Sequence, residues 1–222
     1  MKENHILIGL GGTGGKVLKA FRKRLYQEYN DDERAKLPIA FLYVDSSTEE
    51  MMPGDKTWYV LGKNAQFTAN EFVNVKGVDI KSILANPKNY PGLKGLIGDG
   101  EVMAKTIGEV GAAAAQKRRA GRILFGSSVE NYKNALLGAY NRVNKITHAE
   151  RTNIYIFTGL AGGTGSGSII DVISQTRMMP QFQDMLSMDG KTGTSIVVNA
   201  MVPEITPPGK SDAGKYHANG YA

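Results

Sequence analysis

Cysteine is absent from all 222 residues of the chain, and histidine occurs only at His5, His148 and His217. The lack of cysteine excludes a disulfide framework, a thiolate nucleophile and cysteine-ligated zinc or iron–sulfur centres. The three histidines have no spacing typical of a metal cluster. The chain therefore offers no cysteine- or histidine-based metal site.

Long apolar runs are also absent, and no stretch approaches the roughly 18 apolar residues that a membrane helix needs. The composition, with 41% hydrophobic and 22% charged residues, is that of an ordinary globular protein. We therefore expect a cytoplasmic protein that forms one domain and does not insert into a membrane.

The net charge of +6 would suit an anionic partner, and the densest basic group lies at residues 116–122. This group is either a solvent-exposed helix face or a contact for phosphate. No aromatic residues interleave with its charges, as they would in a nucleic-acid-binding surface. We therefore expect no nucleic-acid partner.

Glycine is abundant, with 27 residues, and the chain alternates apolar runs with helical patterns. The apolar runs that predict strands are residues 4–9, 37–44, 153–158 and 194–202, of which 37–44 and 153–158 are expected to be buried. After the first run, Val17, Leu18, Phe21 and Leu25 recur at helical spacing. This order predicts an α/β fold, with a doubly wound, mostly parallel sheet and helices on both faces.

The remaining segments are assigned more coarsely. Residues 51–108 are expected to be an insertion or elaboration, with a short strand near 57–61 and a short helix near 78–86. Residues 112–145 predict two helices with a break near 126–128, and a later helix carries Ile169, Ile170 and Ile173 on one face. We expect residues 1–222 to be a single nucleotide-binding domain whose C-terminal end is missing.

The first glycine turn (residues 9–15, GLGGTGG) fits the dinucleotide pattern G-x-G-x-x-G between a strand and a helix. Glycines let phosphate approach the backbone, and the helix start supplies N–H donors and a favourable dipole. Tight strand-to-helix turns also use glycine for steric reasons alone. The turn is not a Walker A loop, because Val17 replaces the required serine or threonine. The candidate binding residues are Gly11, Gly12, Thr13, Gly14, Gly15 and Lys16.

The second glycine turn (residues 162–167, GGTGSG) also lies between a buried strand and a helix. In an open parallel sheet such turns emerge at the same edge. Two cradles facing one ligand favour a nucleotide whose triphosphate is held from two sides, with hydroxyl groups as additional donors. The candidate binding residues are Gly162, Gly163, Thr164, Gly165, Ser166 and Gly167.

The motif GGTGSG resembles the tubulin signature shared by tubulins and the bacterial division protein FtsZ. Residues 9–15 are similar to the first loop of FtsZ, and residues 44–46 fall where that family has Thr-Asp. Residues 108–113 resemble the loop that faces the γ-phosphate, and residues 195–203 resemble the strand that runs into a proline. Except for 51–108, the resemblance follows the chain in order, and it is strongest to divergent bacterial tubulin-like proteins.

The resemblance implies GTP or GDP as the ligand, together with Mg²⁺. Residues 12–15 would wrap the α- and β-phosphates and residues 163–165 the other side, while Gly111 and Ala112 would close on the γ-phosphate. Asp45 would orient a magnesium-bound water or cap its own loop, and Asp212 would contact ribose or cap a helix.

The resemblance is less complete at the basic residues and at the elements that the family uses for guanine recognition and hydrolysis. Of Arg118, Arg119 and Arg122, at least one could neutralise phosphate. Lys16 stands where FtsZ has asparagine, and it would contact phosphate or point outward. The family reads guanine and hydrolyses GTP with a long central helix and an acidic loop that this chain does not carry. GTPase activity is thus left open, with hydrolysis expected only on head-to-tail contact of longer chains in a filament.

Two other functions remain open. A Rossmann-type NAD(P)-dependent oxidoreductase would explain G-x-G-x-x-G and Asp45, although Asp45 lies farther on than the roughly 20 residues expected. That reading leaves the second glycine turn unexplained, and no residue is placed for hydride chemistry. The other alternative is a scaffold that binds nucleotide without hydrolysing it.

Overall fold

The computed structural model describes residues 2–76, 79–93, 96–97, 100–107, 114 and 117–203. Its strands are β1 (Asn4–Leu10), β2 (Ile39–Asp45), β3 (Tyr59–Val60), β4 (Lys63–Asn64), β5 (Phe72–Asn74), β6 (Arg151–Gly159) and β7 (Gly193–Met201). Its α-helices are α1 (Gly11–Glu28), α2 (Asp31–Ala35), α3 (Ile80–Ala85), α4 (Gly100–Ile107), α5 (Arg118–Ser127), α6 (Val129–Thr147) and α7 (Thr164–Arg177).

Five strands form one sheet in the order β5-β2-β1-β6-β7, and every neighbouring pair is parallel. All five strands therefore end at the same edge of the sheet. The helix α1 connects β1 to the β2 region, and α7 connects β6 to β7, so the α/β fold predicted from the sequence is confirmed. The turns that follow β1 and β6 lie next to each other because these two strands are neighbours.

The central strands are buried on both faces, which explains why their sequences are continuously apolar. On one face, Leu7 and Phe41 pack against α1 and against Trp58 and Phe67 from the segment around the β3–β4 pair. The rings of Trp58 and Phe67 meet edge to face with centroids 4.9 Å apart. On the other face, alternate strand residues such as Ile8 pack against a second core cluster, to which α3 to α7 contribute.

Most of the predicted helix and strand positions agree with the structure, but two details differ. The break between two helices near residues 126–128 is confirmed, because α5 ends at Ser127 and α6 begins at Val129. The short strand β3 and the helix α3 lie where they were expected. The segment 51–108 also contributes β5 to the main sheet, which the sequence did not predict. The prediction for the face of α7 was wrong: Ile169 and Ile173 pack against the core, whereas Ile170 is 67% exposed.

No helix among the described residues is long and apolar enough to span a bilayer.

Candidate functional site

The two glycine turns touch each other at the carboxyl edge of the sheet. Leu10 at the end of β1 pairs with Thr158 of β6, so the helices that follow these strands start side by side. Gly11 has a φ of +65°, a conformation that favours glycine. A methyl group added at Gly11 would lie only 3.0 Å from the backbone nitrogen of Gly165. The two turns therefore lie so close together that a side chain at Gly11 would be crowded by the second turn.

The helices α1 and α7 both start at this edge without a capping side chain. The residue before α1 is Leu10 and the residue before α7 is Gly163, and neither makes a side-chain capping bond. Neither helix has an acidic residue in its first turn. The first N–H groups of a helix lack intrahelical partners, and the helix dipole favours negative charge there. Two such helix starts side by side form a strong site for an anion.

A cleft of about 460 Å³ opens between the two turns. The predicted residues that line it are Gly11, Gly12, Thr13, Lys16, Asp45, Gly162, Gly163, Thr164 and Gly165. The structure therefore brings together nine residues, from three separate segments, that were predicted from the sequence as binding residues. Gly14, Gly15, Ser166 and Gly167 do not line the cleft.

The glycines behind the cleft are needed for packing. A methyl group at Gly14 would lie 2.3 Å from the carbonyl oxygen of Phe157, and one at Gly167 would lie 2.2 Å from that of Arg118. By contrast, a methyl group at Gly12 or Gly162 would meet nothing within 4 Å. Each turn therefore contains glycines that permit close packing and one glycine that faces open space beside the cleft.

A buried hydrogen-bond network supports one wall of the cleft. The hydroxyl oxygen of Ser46 lies 2.9 Å from that of Thr164, and it accepts a hydrogen bond of 3.2 Å from the backbone N–H of Ala114. The Asp45 carboxylate accepts hydrogen bonds of 2.7 Å from the Ser46 backbone N–H and from the Tyr43 hydroxyl. This network joins the end of β2, the start of α7 and the segment that leads to α5.

Burial of Asp45 disfavours its charged form and raises the pKa of its carboxyl. Hydrogen bonds from Tyr43, Ser46, Ser47 and Thr164 act in the opposite direction without cancelling the effect of burial. The pKa of the Tyr43 hydroxyl is also raised, first by burial and then by the adjacent Asp45 charge. Each carboxylate oxygen of Asp45 accepts a hydrogen bond from its own segment, as a loop-capping role would require.

The other side chains of the cleft were not singled out from the sequence. They include Tyr43, Ser46, Ser47, Glu49 and Glu50, which the fold brings to the cleft with β2 and its following segment. No motif marks them, and their nearness to Asp45 along the chain is the signal that the sequence offers. Glu50 forms an ion pair of 3.0 Å with Lys19, whereas Lys16 is exposed and lines the cleft itself.

Two arginines of the basic group, Arg118 and Arg122, make hydrogen bonds from α5 to α7. Arg122 forms a bidentate ion pair with Asp171, with distances of 2.7 and 3.0 Å. Arg118 donates hydrogen bonds of 3.4 Å to the Ser166 hydroxyl and to the carbonyl oxygen of Leu160. Arg119 lines a separate pocket between α4 and α5.

The predicted γ-phosphate residues Gly111 and Ala112 and the predicted ribose contact Asp212 lie outside the described residues. Ala114, just beyond the predicted γ-phosphate segment, is described and lines the cleft.

The fold and the cleft define a doubly wound α/β protein in which two uncapped helix starts face one cleft at the carboxyl edge of the sheet. A protein-family model described as "Tubulin like" matches residues 6–222. The chain therefore belongs to the tubulin-like family, and the resemblance noted from GGTGSG is confirmed.

Among solved structures, the chain is similar to CetZ1 from Haloferax volcanii, described as a GDP-bound monomer. The two share 16% sequence identity and superpose with a TM-score of 0.50, which shows likeness of fold. The match covers 98% of this chain but 45% of the CetZ1 chain, so the chain spans less than half the length of that structure. No curated protein matches the chain.

Proposed function

We propose that this chain is the GTP- and GDP-binding domain of a tubulin-like protein. The observation that carries the proposal is the pair of uncapped helix starts, α1 and α7, that meet at a cleft of about 460 Å³. Phosphate would accept hydrogen bonds from the free N–H groups of both helices, and Lys16 would add charge from the side of α1. The GDP bound to the structurally similar CetZ1 supports guanine as the base.

Magnesium fits the cleft as a companion of the nucleotide. Among the described residues, no group of three or more histidine, cysteine or acidic side chains is arranged to hold a metal ion by itself. Mg²⁺ usually takes one or two carboxylates together with phosphate oxygens and water. Asp45, Glu49 and Glu50 line the cleft and are the carboxylates from which such contacts would come.

The binding proposal is tested by identifying the nucleotide that freshly purified intact protein releases on denaturation. Calorimetry with GTP, GDP and NADH in the presence of Mg²⁺ then measures affinity directly. We expect guanine nucleotides in the released fraction and binding of GTP and GDP. Binding of NADH with no effect of GTP would instead favour the oxidoreductase alternative.

A pair of glycine variants localises the binding site. In both Gly162→Ala and Gly138→Ala the new methyl group meets nothing within 4 Å, so neither should disturb packing. Only Gly162 lines the cleft. We expect Gly162→Ala to weaken GDP binding about tenfold and Gly138→Ala to leave it unchanged. Equal affinity in the two variants would place the nucleotide elsewhere.

Membership of the tubulin-like family supports a further part of the proposal, namely head-to-tail assembly of the full-length protein into cytoplasmic filaments. In this proposal hydrolysis of GTP follows contact between subunits. The test is sedimentation of the intact protein with GTP or GDP, with phosphate release measured in parallel. Sedimentation that requires GTP but releases no phosphate would identify a scaffold that binds nucleotide without hydrolysing it. Absence of GTP-dependent sedimentation would contradict assembly.

A further inference from the structure

Ser46 lies where three parts of the fold meet beside the cleft. It follows β2, its hydroxyl contacts the first residue of α7, and it accepts a hydrogen bond from the backbone N–H of Ala114. The exposed fractions are 4% for Ser46, 5% for Thr164 and 2% for Ala114. Because water has little access to these groups, their partners within the protein decide how each hydrogen is directed.

The chemistry of the three groups gives the network a direction. A backbone N–H can only donate, so the Ser46 oxygen accepts from Ala114 and keeps its own hydrogen for donation. Among the described residues, the acceptor found for that hydroxyl is the Thr164 oxygen at 2.9 Å. When Ser46 donates to Thr164, the hydrogen of the Thr164 hydroxyl is left to point at another acceptor. Thr164 lines the cleft, and the adjacent Asp45 carboxylate is the acceptor that its hydroxyl has in the structure.

We propose that Ser46 is a positioning residue that keeps the Thr164 hydroxyl a hydrogen-bond donor, and that a phosphate oxygen in the cleft would accept this hydrogen in place of the Asp45 carboxylate. The proposal rests on the proposed nucleotide binding, and it assigns a role to a residue that does not itself need to touch the ligand. Hydrogen bonds that run in one direction polarise one another. The bonds from Ala114 to Ser46 and from Ser46 to Thr164 would therefore make the Thr164 hydroxyl a stronger donor. Without the Ser46 hydroxyl, Thr164 loses this orientation and the Ala114 N–H loses its buried acceptor.

The test is a double-mutant cycle on GDP and GTP affinity, measured by calorimetry on the intact protein with Mg²⁺. Its variants are Ser46→Ala, Thr164→Val and the combination of both; valine keeps the shape of threonine but removes the hydroxyl. Ser46→Thr retains a hydroxyl and serves as the rescue variant. Ser168→Ala is the matched control, because this buried serine donates only to the carbonyl oxygen of Thr164 within α7 and does not line the cleft.

We expect Ser46→Ala to weaken binding about tenfold in the wild-type background but less than about twofold in the Thr164→Val background. Ser46→Thr should restore most of the affinity, and Ser168→Ala should leave it unchanged. Amide exchange at Ala114 should be faster in Ser46→Ala than in the wild type, which reports the lost hydrogen bond in a protein that remains folded.

Two results would overturn the proposal, and only the second would also contradict nucleotide binding. If the wild type binds GDP but the effects of Ser46→Ala and Thr164→Val simply multiply, Ser46 does not act through Thr164, and nucleotide binding stands. If the wild type binds neither GDP nor GTP, the proposed function fails, and the role of Ser46 fails with it.

Discussion

The first and second glycine turns lie against each other, yet they present different chemistry to the cleft. The first turn is followed by Lys16, an exposed cation that lines the cleft. The second turn instead presents Thr164, whose hydroxyl belongs to the buried network around Ser46. One turn thus supplies charge and the other supplies an oriented hydroxyl, while both supply the N–H groups of an uncapped helix start.

The glycines of both turns divide in the same way. Gly14 in the first turn and Gly167 in the second have a neighbouring carbonyl oxygen where a side chain would begin. Gly12 and Gly162 have open space in the same direction. Each glycine-rich motif therefore contains glycines with two different roles: some allow backbones to pack closely, and others leave space that a ligand could enter. Substitutions can separate the two roles.

The largest effect is expected from Gly14→Ala. Its methyl group would lie 2.3 Å from the carbonyl oxygen of Phe157 and 2.9 Å from the Cα atom of Gly9, and backbone atoms in the core cannot move aside cheaply. Overpacking of this kind lowers the free energy of unfolding by about 3 kcal/mol. Urea denaturation followed by circular dichroism measures the loss.

Gly12→Ala is the matched control in the same turn, because its methyl group meets no atom within 4 Å. We expect its free energy of unfolding to change by less than about 1 kcal/mol, while GDP affinity falls. If Gly14→Ala were as stable as Gly12→Ala, the division into packing and cleft glycines would be wrong.

Much of the fold was predictable because its signals are local. The continuous apolar runs of β1, β2 and β6 reflect burial on both faces, whereas β7 lies at the edge of the sheet and is mostly half-buried or exposed. The α5–α6 break coincides with Ser127 and Ser128. The strand β5 escaped prediction because it has only three residues and owes its strand conformation to pairing with β2. Ile170 was misplaced because adjacent residues on a helix point about 100° apart, and only Ile169 and Ile173 share the buried side.

The site was predictable to the extent that glycine marks it. Both turns can be recognised in the sequence from their glycines. The difference in space around Gly12 and Gly14 cannot, because it depends on the Phe157 carbonyl oxygen of β6, which only the fold brings near Gly14. Ser46 and Glu50 reach the cleft through tertiary structure, with no motif of their own. Gly121 is similar: a methyl group there would lie 2.1 Å from the carbonyl oxygen of Gly163, so this helix glycine supports the second turn from behind.

A smaller effect, on binding alone, is expected from Lys16→Gln. The variant removes the charge that distinguishes the first turn and keeps a side chain of similar length. We expect GDP affinity to fall by about threefold to tenfold at low ionic strength, with a smaller difference at high salt because exposed charges are screened. Calorimetry at two salt concentrations measures both effects.

Lys23→Gln controls for the loss of one positive charge from the same helix. Lys23 donates a hydrogen bond of 2.9 Å to the carbonyl oxygen of Thr57 and does not line the cleft. Its replacement should leave GDP affinity unchanged. Equal losses of GDP affinity in the two lysine variants would mean that Lys16 contributes only general electrostatic attraction. The first turn would then not differ from the second by a charge placed at the cleft.

The smallest effect is expected from Asp45→Asn, which tests the buried network on the side of the second turn. Burial raises the pKa of the Asp45 carboxyl in the folded protein, so the folded state holds this proton more tightly than the unfolded state does. Its contribution to stability is therefore fully present below the unfolded pKa and is lost as pH rises through the folded pKa. Asparagine can still accept from the Ser46 N–H and can donate to the Tyr43 oxygen, but it does not titrate.

We therefore expect the free energy of unfolding of Asp45→Asn, relative to wild type, to increase as pH rises from about 4 toward neutrality, with each unit of pKa difference worth about 1.4 kcal/mol. Urea denaturation in the absence of nucleotide, repeated across this pH range, measures the trend. A constant difference between the two proteins would show that the hydrogen bonds from Tyr43, Ser46, Ser47 and Thr164 balance burial, and a difference that decreases with pH would show that they outweigh it. In that case the network would hold Asp45 charged, as a residue poised to meet a cation in the cleft.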